Sequence, residues 1–214
     1  MSTIQQIATA IENGKVKIIE ELVTEAIDAG GDPNDILEEG MIKAMSVVGK
    51  RFQENEIFVP EMLVSAKTMK KGVEILRPHL AGGSIGKMGK FIIGTVTGDL
   101  HDIGKNLVAL MIESAGFEVI DLGVDVPASR FVEALAEHPD CRLVGASALL
   151  TTTMKSLKDT VEAIHAAGHK DKVKIMIGGA PVTEEFAKEI GADAYTPDAG
   201  SAAIKAIELV SRDA

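Results

Sequence analysis

Between residues 3 and 80 the apolar positions recur at three- and four-residue intervals, as in Ile18, Ile19, Leu22 and Ile27, then Ile36, Ile42, Met45 and Val48. That spacing lines one face of a 3.6-residue helix, so this half of the chain reads as helices alone. Breaks fall at Asn13-Gly14, at Gly30-Gly31 and near Asn55, and Asp32-Pro33 has the form of an N-cap followed by proline at the first helical position. Four helices result, over about 3–13, 15–29, 33–53 and 60–77, which together predict a four-helix bundle. The stretch 81–89, AGGSIGKMG, carries four glycines and little apolar content. It predicts a linker between a helical domain at 1–80 and a second domain at 90–214.

Past the linker the pattern becomes short apolar runs separated by helical ones. The runs are FIIGTV at 91–96, FEVIDL at 117–122, RLVGASAL at 142–149, VKIMI at 173–177 and a weaker ADAY at 192–195. Helical spacing fills the intervals, around 104–115, 128–137, 153–167, 183–190 and 199–211. Alternating strand and helix implies right-handed crossovers and a parallel sheet covered on both faces, a doubly wound, Rossmann-like α/β domain. Ligands of such sheets bind beyond the carboxyl ends of the strands. The segments that matter are therefore the loops after Val96, Leu122, Ser147 and Ile177.

Composition narrows the function classes. Hydrophobic residues at 46% and charged residues at 25% of 214 exclude disorder as the main reading. The 22 basic and 32 acidic side chains leave a formal charge of -10, which opposes nucleic acid and anionic membrane surfaces. Aromatic residues at 3%, with no Trp, weaken any base-stacking module. No apolar run approaches the roughly eighteen residues that span a bilayer. The single cysteine, Cys141, allows no intramolecular disulfide, and the N-terminus MSTIQQIA lacks the regions of a signal peptide, so a cytoplasmic protein is expected.

The loop after the first strand, Thr97-Gly98-Asp99-Leu100-His101-Asp102-Ile103-Gly104-Lys105-Asn106, is the densest set of polar groups where the fold places a ligand. An imidazole can donate from one ring nitrogen to a carboxylate while the other faces a metal. Asp99 and His101 have the spacing for such a pair, and Gly98 and Gly104 would let backbone approach a bulky ligand. The plainer alternative is that His101 caps the following helix. Two further strand ends are rich in small residues: Gly145-Ala146-Ser147-Ala148-Leu149, and Gly178-Gly179-Ala180-Pro181. Each alone reads as a turn. Together with the first loop they describe a long cleft.

Asp99-x-His101-x-x-Gly104, then Ser147-x-Leu149, then Gly178-Gly179, resembles the three-part signature of the B12-binding domain. The resemblance implies cobalamin or a related corrinoid, carried as methylcobalamin, with its benzimidazole tail detached from cobalt and threaded into the sheet. It implies His101 as lower axial ligand of the metal, with Asp99 bonded to it and Thr153 completing a ligand triad where the methionine synthase branch has serine. It also places Gly98, Asp102, Ile103, Gly104, Ser147, Leu149, Thr151, Gly178 and Gly179 at the cofactor.

The helical half resembles the four-helix cap that precedes this domain in methionine synthase and in small corrinoid proteins, and that B12-dependent mutases lack. By that resemblance Phe52, Val59 and Met62 shield the methyl-bearing face, whereas helical spacing alone would place all three in the bundle core. The implied function is a carrier that takes a methyl group from a substrate-specific methyltransferase. It passes the group to a second methyltransferase, with coenzyme M or tetrahydrofolate as acceptor and a reductive activase restoring the cobalt. The alternative is the small cobalamin-binding subunit of a B12-dependent mutase.

Other readings fit less well. His101-Asp102 resembles the HD metal-dependent phosphohydrolases, but that family is all-helical and needs further ligands, and His79, His138, His165 and His169 stand in no matching motif. Gly86-Lys87 suggests a phosphate loop, yet Met88 occupies the magnesium-binding position and the segment precedes its strand. A B12-sensing regulator would need an output module, and the helical half has neither excess basic charge nor a recognition helix.

Overall fold

Caps and left-handed residues decide where each helix of the first half begins and ends. The computed structural model describes residues 2–80 and 88–211, so most of the linker expected at 81–89 lies outside the described residues. Helix α1 (Thr3–Glu12) starts at Ser2, whose hydroxyl accepts from the Gln5 amide while the Gln5 side chain accepts from the Ser2 amide. Helix α2 spans Ile19–Asp28. Asp32 then caps the short α3 (Pro33–Asp35), which runs through a π-helical stretch, Ile36–Ile42, into α4 (Lys43–Gln53). Helix α5 is Val59–Leu76.

Helices α1, α2 and α4 end alike. A residue with positive φ, Gly14, Gly30 or Asn55, follows the cap. The next amide then reaches back to a free carbonyl: Lys15 to Ala10 at 2.8 Å, Gly31 to Ala26 at 3.0 Å and Glu56 to Arg51 at 2.9 Å. These are the three breaks read from the sequence. One boundary differs: the helix expected from residue 15 begins only at Ile19. The Lys15 amide is committed to closing α1, and residues 15–18 form a turn instead. The core of this unit includes Ile7, Ile11, Ile19, Val23, Ile36, Met41, Met62 and Leu76, none with measurable exposure.

The second unit is a five-stranded parallel sheet of order β2-β1-β3-β4-β5, built from β1 (Lys90–Thr95), β2 (Glu118–Asp121), β3 (Leu143–Ser147), β4 (Lys174–Gly178) and β5 (Ala194–Tyr195). Between and after them lie α6 (Ile103–Ser114), α7 (Ala128–Glu137), α8 (Met154–Ile164), α9 (Glu184–Ile190) and α10 (Ala199–Ser211). The chain leaves β1 toward β2, then returns past β1 to β3 and continues to β5. Right-handed crossovers therefore put α6 on one face and α7, α8 and α9 on the other. On the latter face Ile92, Val144, Ala146, Ile175 and Ile177 pack with Phe131, Leu135, Leu157, Val161 and Ile164. The missing side chain at Gly145 makes room for an aromatic ring, since a methyl there would meet Phe91 Cζ at 2.4 Å. No helix among the described residues is long and apolar enough to cross a membrane.

Candidate functional site

The strand order reverses between β1 and β3, and in an open α/β sheet a crevice forms outside the carboxyl ends at that point. Thr95, Ser147 and Gly178 stand in register across β1, β3 and β4 at this edge. Above them, the loop after β1 and the loop after β3 meet through one side chain.

That side chain is Asp99, fully buried. Its Oδ1 accepts from the His101 backbone N–H at 3.0 Å and faces His101 Nδ1 at 2.7 Å. Its Oδ2 accepts from Leu149 N–H at 2.6 Å, Leu150 N–H at 3.3 Å and Thr153 Oγ1 at 2.9 Å. The Thr153 hydroxyl has a single proton, and its other acceptor, the Leu150 carbonyl, lies at the same 2.9 Å. Burial works against a charge on Asp99. Hydrogen bonds from the Leu149 and His101 amides, the His101 ring and Thr153 outweigh it and hold the carboxyl well below the usual carboxylate range. An ionised carboxylate only accepts, so in a neutral ring the Nδ1 of His101 carries the proton and Nε2 keeps its lone pair. About half of the His101 side chain is exposed.

The sequence-derived residues divide by place. Gly98, Asp99, His101, Thr153, Ser147, Leu149 and Gly178 gather at the carboxyl edge around the reversal point, with Asp102, Thr151 and, at the start of α6, Ile103 and Gly104 exposed beside them. A methyl added at Gly104 would meet nothing within 4 Å, so that surface is open. Gly179 has a local cause: its φ is +128°, and a methyl there would lie 1.8 Å from the Ala148 carbonyl oxygen. In the helical unit Phe52 and Val59 are half-buried, whereas Met62 has no exposure and lies on the stripe of α5 that continues through Ala66, Met69 and Leu76.

Several contributing residues carried no motif. The Thr95 hydroxyl, fully buried at the end of β1, donates to the His101 carbonyl at 2.9 Å, so both backbone groups of the histidine are held. In the apolar run FIIGTV it reads only as a β-branched strand residue. The Lys105 ammonium, on the first turn of α6 and 3% exposed, donates to Asp121 at 2.6 Å and to Asn106 at 2.7 Å. Asn106 in turn donates to Asp102 at 3.1 Å. A buried cation near a helix N-terminus opposes the helix dipole, and the Asp121 carboxylate offsets it.

The rim is apolar. Leu100 (72% exposed), Ile103 (78%), Val124, Leu149 and Leu150 are large hydrophobic side chains open to solvent, Ile103 at the start of α6 and the others on the loops after β1, β2 and β3. A half-exposed imidazole among such side chains suits a wide apolar ligand carrying a metal, and a corrin ring has that chemistry.

Comparison with known proteins agrees with this geometry. A B12-binding-domain family model matches residues 89–208, and a second B12-binding-domain model matches residues 3–77. Dimethylamine corrinoid protein 3 of Methanosarcina acetivorans is 39% identical over 98% of this chain and 100% of its own length. A crystal structure of a cobalamin-binding protein from Desulfitobacterium hafniense DCB-2 is 30% identical and superposes with a TM-score of 0.81, covering 98% of this chain and 97% of that one. The methanol:cobalamin methyltransferase complex MtaBC from Methanosarcina barkeri contains a chain 31% identical, with a TM-score of 0.84 over 98% of this chain and 80% of that one.

Proposed function

The chain belongs to the corrinoid proteins with a B12-binding domain, and on that footing we propose that it carries a methyl group on a corrinoid between two methyltransferases. The observation that carries the proposal is the half-exposed His101 ring, fixed through Nδ1 by the buried Asp99, with Nε2 free inside an apolar rim. When bound, the corrinoid supplies a cobalt centre that accepts a methyl group and gives it up again. The residues of the chain do the rest. His101 Nε2 would hold the metal, and Asp99 fixes the orientation and tautomer of the ring through Nδ1. Thr153 and the Leu149 amide keep Asp99 ionised. Leu100, Ile103 and Leu149, all exposed, would cover the edge of the corrin, and the open surface at Gly104 would leave room for it. Ser147, Gly178 and Gly179 would line the path of its tail, with Thr151 also at the cofactor.

Phe52, Val59 and Met62 are assigned to the methyl-bearing face. The half exposure of Phe52 and Val59 supports this, and the full burial of Met62 in its helix stripe does not. One partner is a substrate-specific methyltransferase, and the dimethylamine relative favours a methylated amine as donor. The second methyltransferase delivers to coenzyme M or tetrahydrofolate, and a reductive activase restores the metal after oxidation, all in the cytoplasm. The match of the helical half to its own family model favours a carrier over a mutase subunit.

Protein labelled with 15N-histidine and loaded with Co(II) cobalamin tests the ligand. The hyperfine splitting in the electron paramagnetic resonance spectrum changes on labelling if His101 binds cobalt, and a spectrum insensitive to the label, or one split by the cofactor's own benzimidazole, removes it. His101→Ala is expected to retain the cofactor while methyl transfer falls about tenfold or more.

A further inference from the structure

Among the described residues only two other than glycine have positive φ, Asn55 and Asp125. Asn55 closes a helix. Asp125, with φ +53°, lies between β2 and α7 and closes none. A left-handed backbone costs most residues about 1–2 kcal/mol, and glycine would take it freely. What the aspartate adds is visible in its bonds: its N–H donates to the Asp99 carbonyl at 2.9 Å, and its Oδ1 accepts from the Gly98 N–H at 2.7 Å. One residue thus grips both ends of the two-residue step that leads into the histidine motif. The same segment is zipped to β1 on either side. Thr95 N–H donates to the Gly123 carbonyl, Val126 N–H to the Thr95 carbonyl, and the Thr97 hydroxyl to the Val126 carbonyl.

We propose that Asp125 is a positioning residue for the cobalt ligand, clamping Gly98 and Asp99 so that the Asp99 carboxylate, and through it the His101 ring, is aimed before any cofactor arrives. The proposal rests on His101 as axial ligand and extends that assignment to a residue 24 positions further along the chain. A carboxylate accepting from an amide makes a charge-assisted bond, stronger than a neutral acceptor gives. Asparagine keeps an acceptor and tolerates left-handed backbone. Glycine relieves the strain but removes the acceptor. The Asp125→Asn and Asp125→Gly variants therefore separate the clamp from simple backbone fit.

Two measurements on the full-length chain decide it. In cofactor-free protein the Gly98 amide should exchange with deuterium about tenfold faster in Asp125→Gly, and near the wild-type rate in Asp125→Asn, because loss of one such bond shifts a local opening equilibrium by about that factor. In protein loaded with Co(II) cobalamin and 15N-histidine, the fraction of cobalt coupled to histidine should fall by at least about half in Asp125→Gly and recover in Asp125→Asn. Unchanged Gly98 exchange in Asp125→Gly overturns the clamp. Faster exchange with an undiminished histidine-coupled fraction overturns the positioning role and leaves only loop stiffening. Absence of histidine coupling in wild-type protein sinks the axial-ligand assignment instead, while the exchange rates still decide the clamp. If Asp125→Gly does not accumulate as folded protein, Asp125→Ser, with a short neutral acceptor, is measured in the same way and should fall between the other two.

Discussion

Asp99 has no exposure yet holds a charge, because five hydrogen-bonding contacts converge on its two oxygens. Its carboxyl is depressed by those donors, so the folded chain binds a proton there less readily than the unfolded chain. The stabilisation is fully present above the unfolded value of about 3.9 and is lost as pH falls through the folded one. Asp99→Asn replaces an acceptor with an amide donor facing other donors and should cost about 2–4 kcal/mol at pH 7. The gap in thermal midpoint between wild type and Asp99→Asn should narrow between pH 5 and pH 3. A gap that stays constant would mean that the charge contributes nothing to the fold. At this scale the sequence is legible where residues sit close along the chain, as with Asp99 and His101, two positions apart. Asp125 and Thr95 act through bonds that only the fold creates, from segments of ordinary composition, and no spacing rule reaches them.

Most helices and strands follow from periodicity because each buries a single face, and β5 is the weakest because only Ala194 and Tyr195 pair. The π-helical stretch Ile36–Ile42 is not foreseeable from the three- and four-residue apolar spacing, which is the pattern of an ordinary α-helix. Turn positions give a sharper test. Gly14 and Gly30 both have left-handed backbone, but a methyl at Gly14 would come within 2.6 Å of Val64, whereas one at Gly30 would meet nothing within 4 Å. Gly30→Ala should therefore cost about 1 kcal/mol for backbone conformation alone, and Gly14→Ala about 1–2 kcal/mol more for the displaced valine. Chemical denaturation followed by circular dichroism measures both. Equal losses would show that the α1–α2 turn yields without cost.

For the whole molecule, fold class was readable because two periodicities occupy two separate halves, and the ligand class because three short motifs meet at one sheet edge. Net charge bears on function at this scale. A formal charge of -10 argues that the corrinoid-loaded protein does not shift duplex DNA in a gel even at micromolar concentration and low salt, where a B12-sensing regulator would. Retarded DNA under those conditions would reopen the regulatory reading.

The Asp99 carboxylate belongs to one loop, but the Leu149, Leu150 and Thr153 groups that receive it belong to another about fifty residues later. The histidine motif is consequently not a portable cassette. Grafted alone onto another doubly wound sheet, Asp-x-His would keep the histidine's own amide but bring the other carboxylate oxygen to a place with no donors to meet it. Buried without them, the acid would favour its protonated form, and its hold on the imidazole would weaken. A working transplant has to move residues 98–106 and 148–153 together, with an acceptor in the role of Asp125, and the host must be chosen for the separation between those loops.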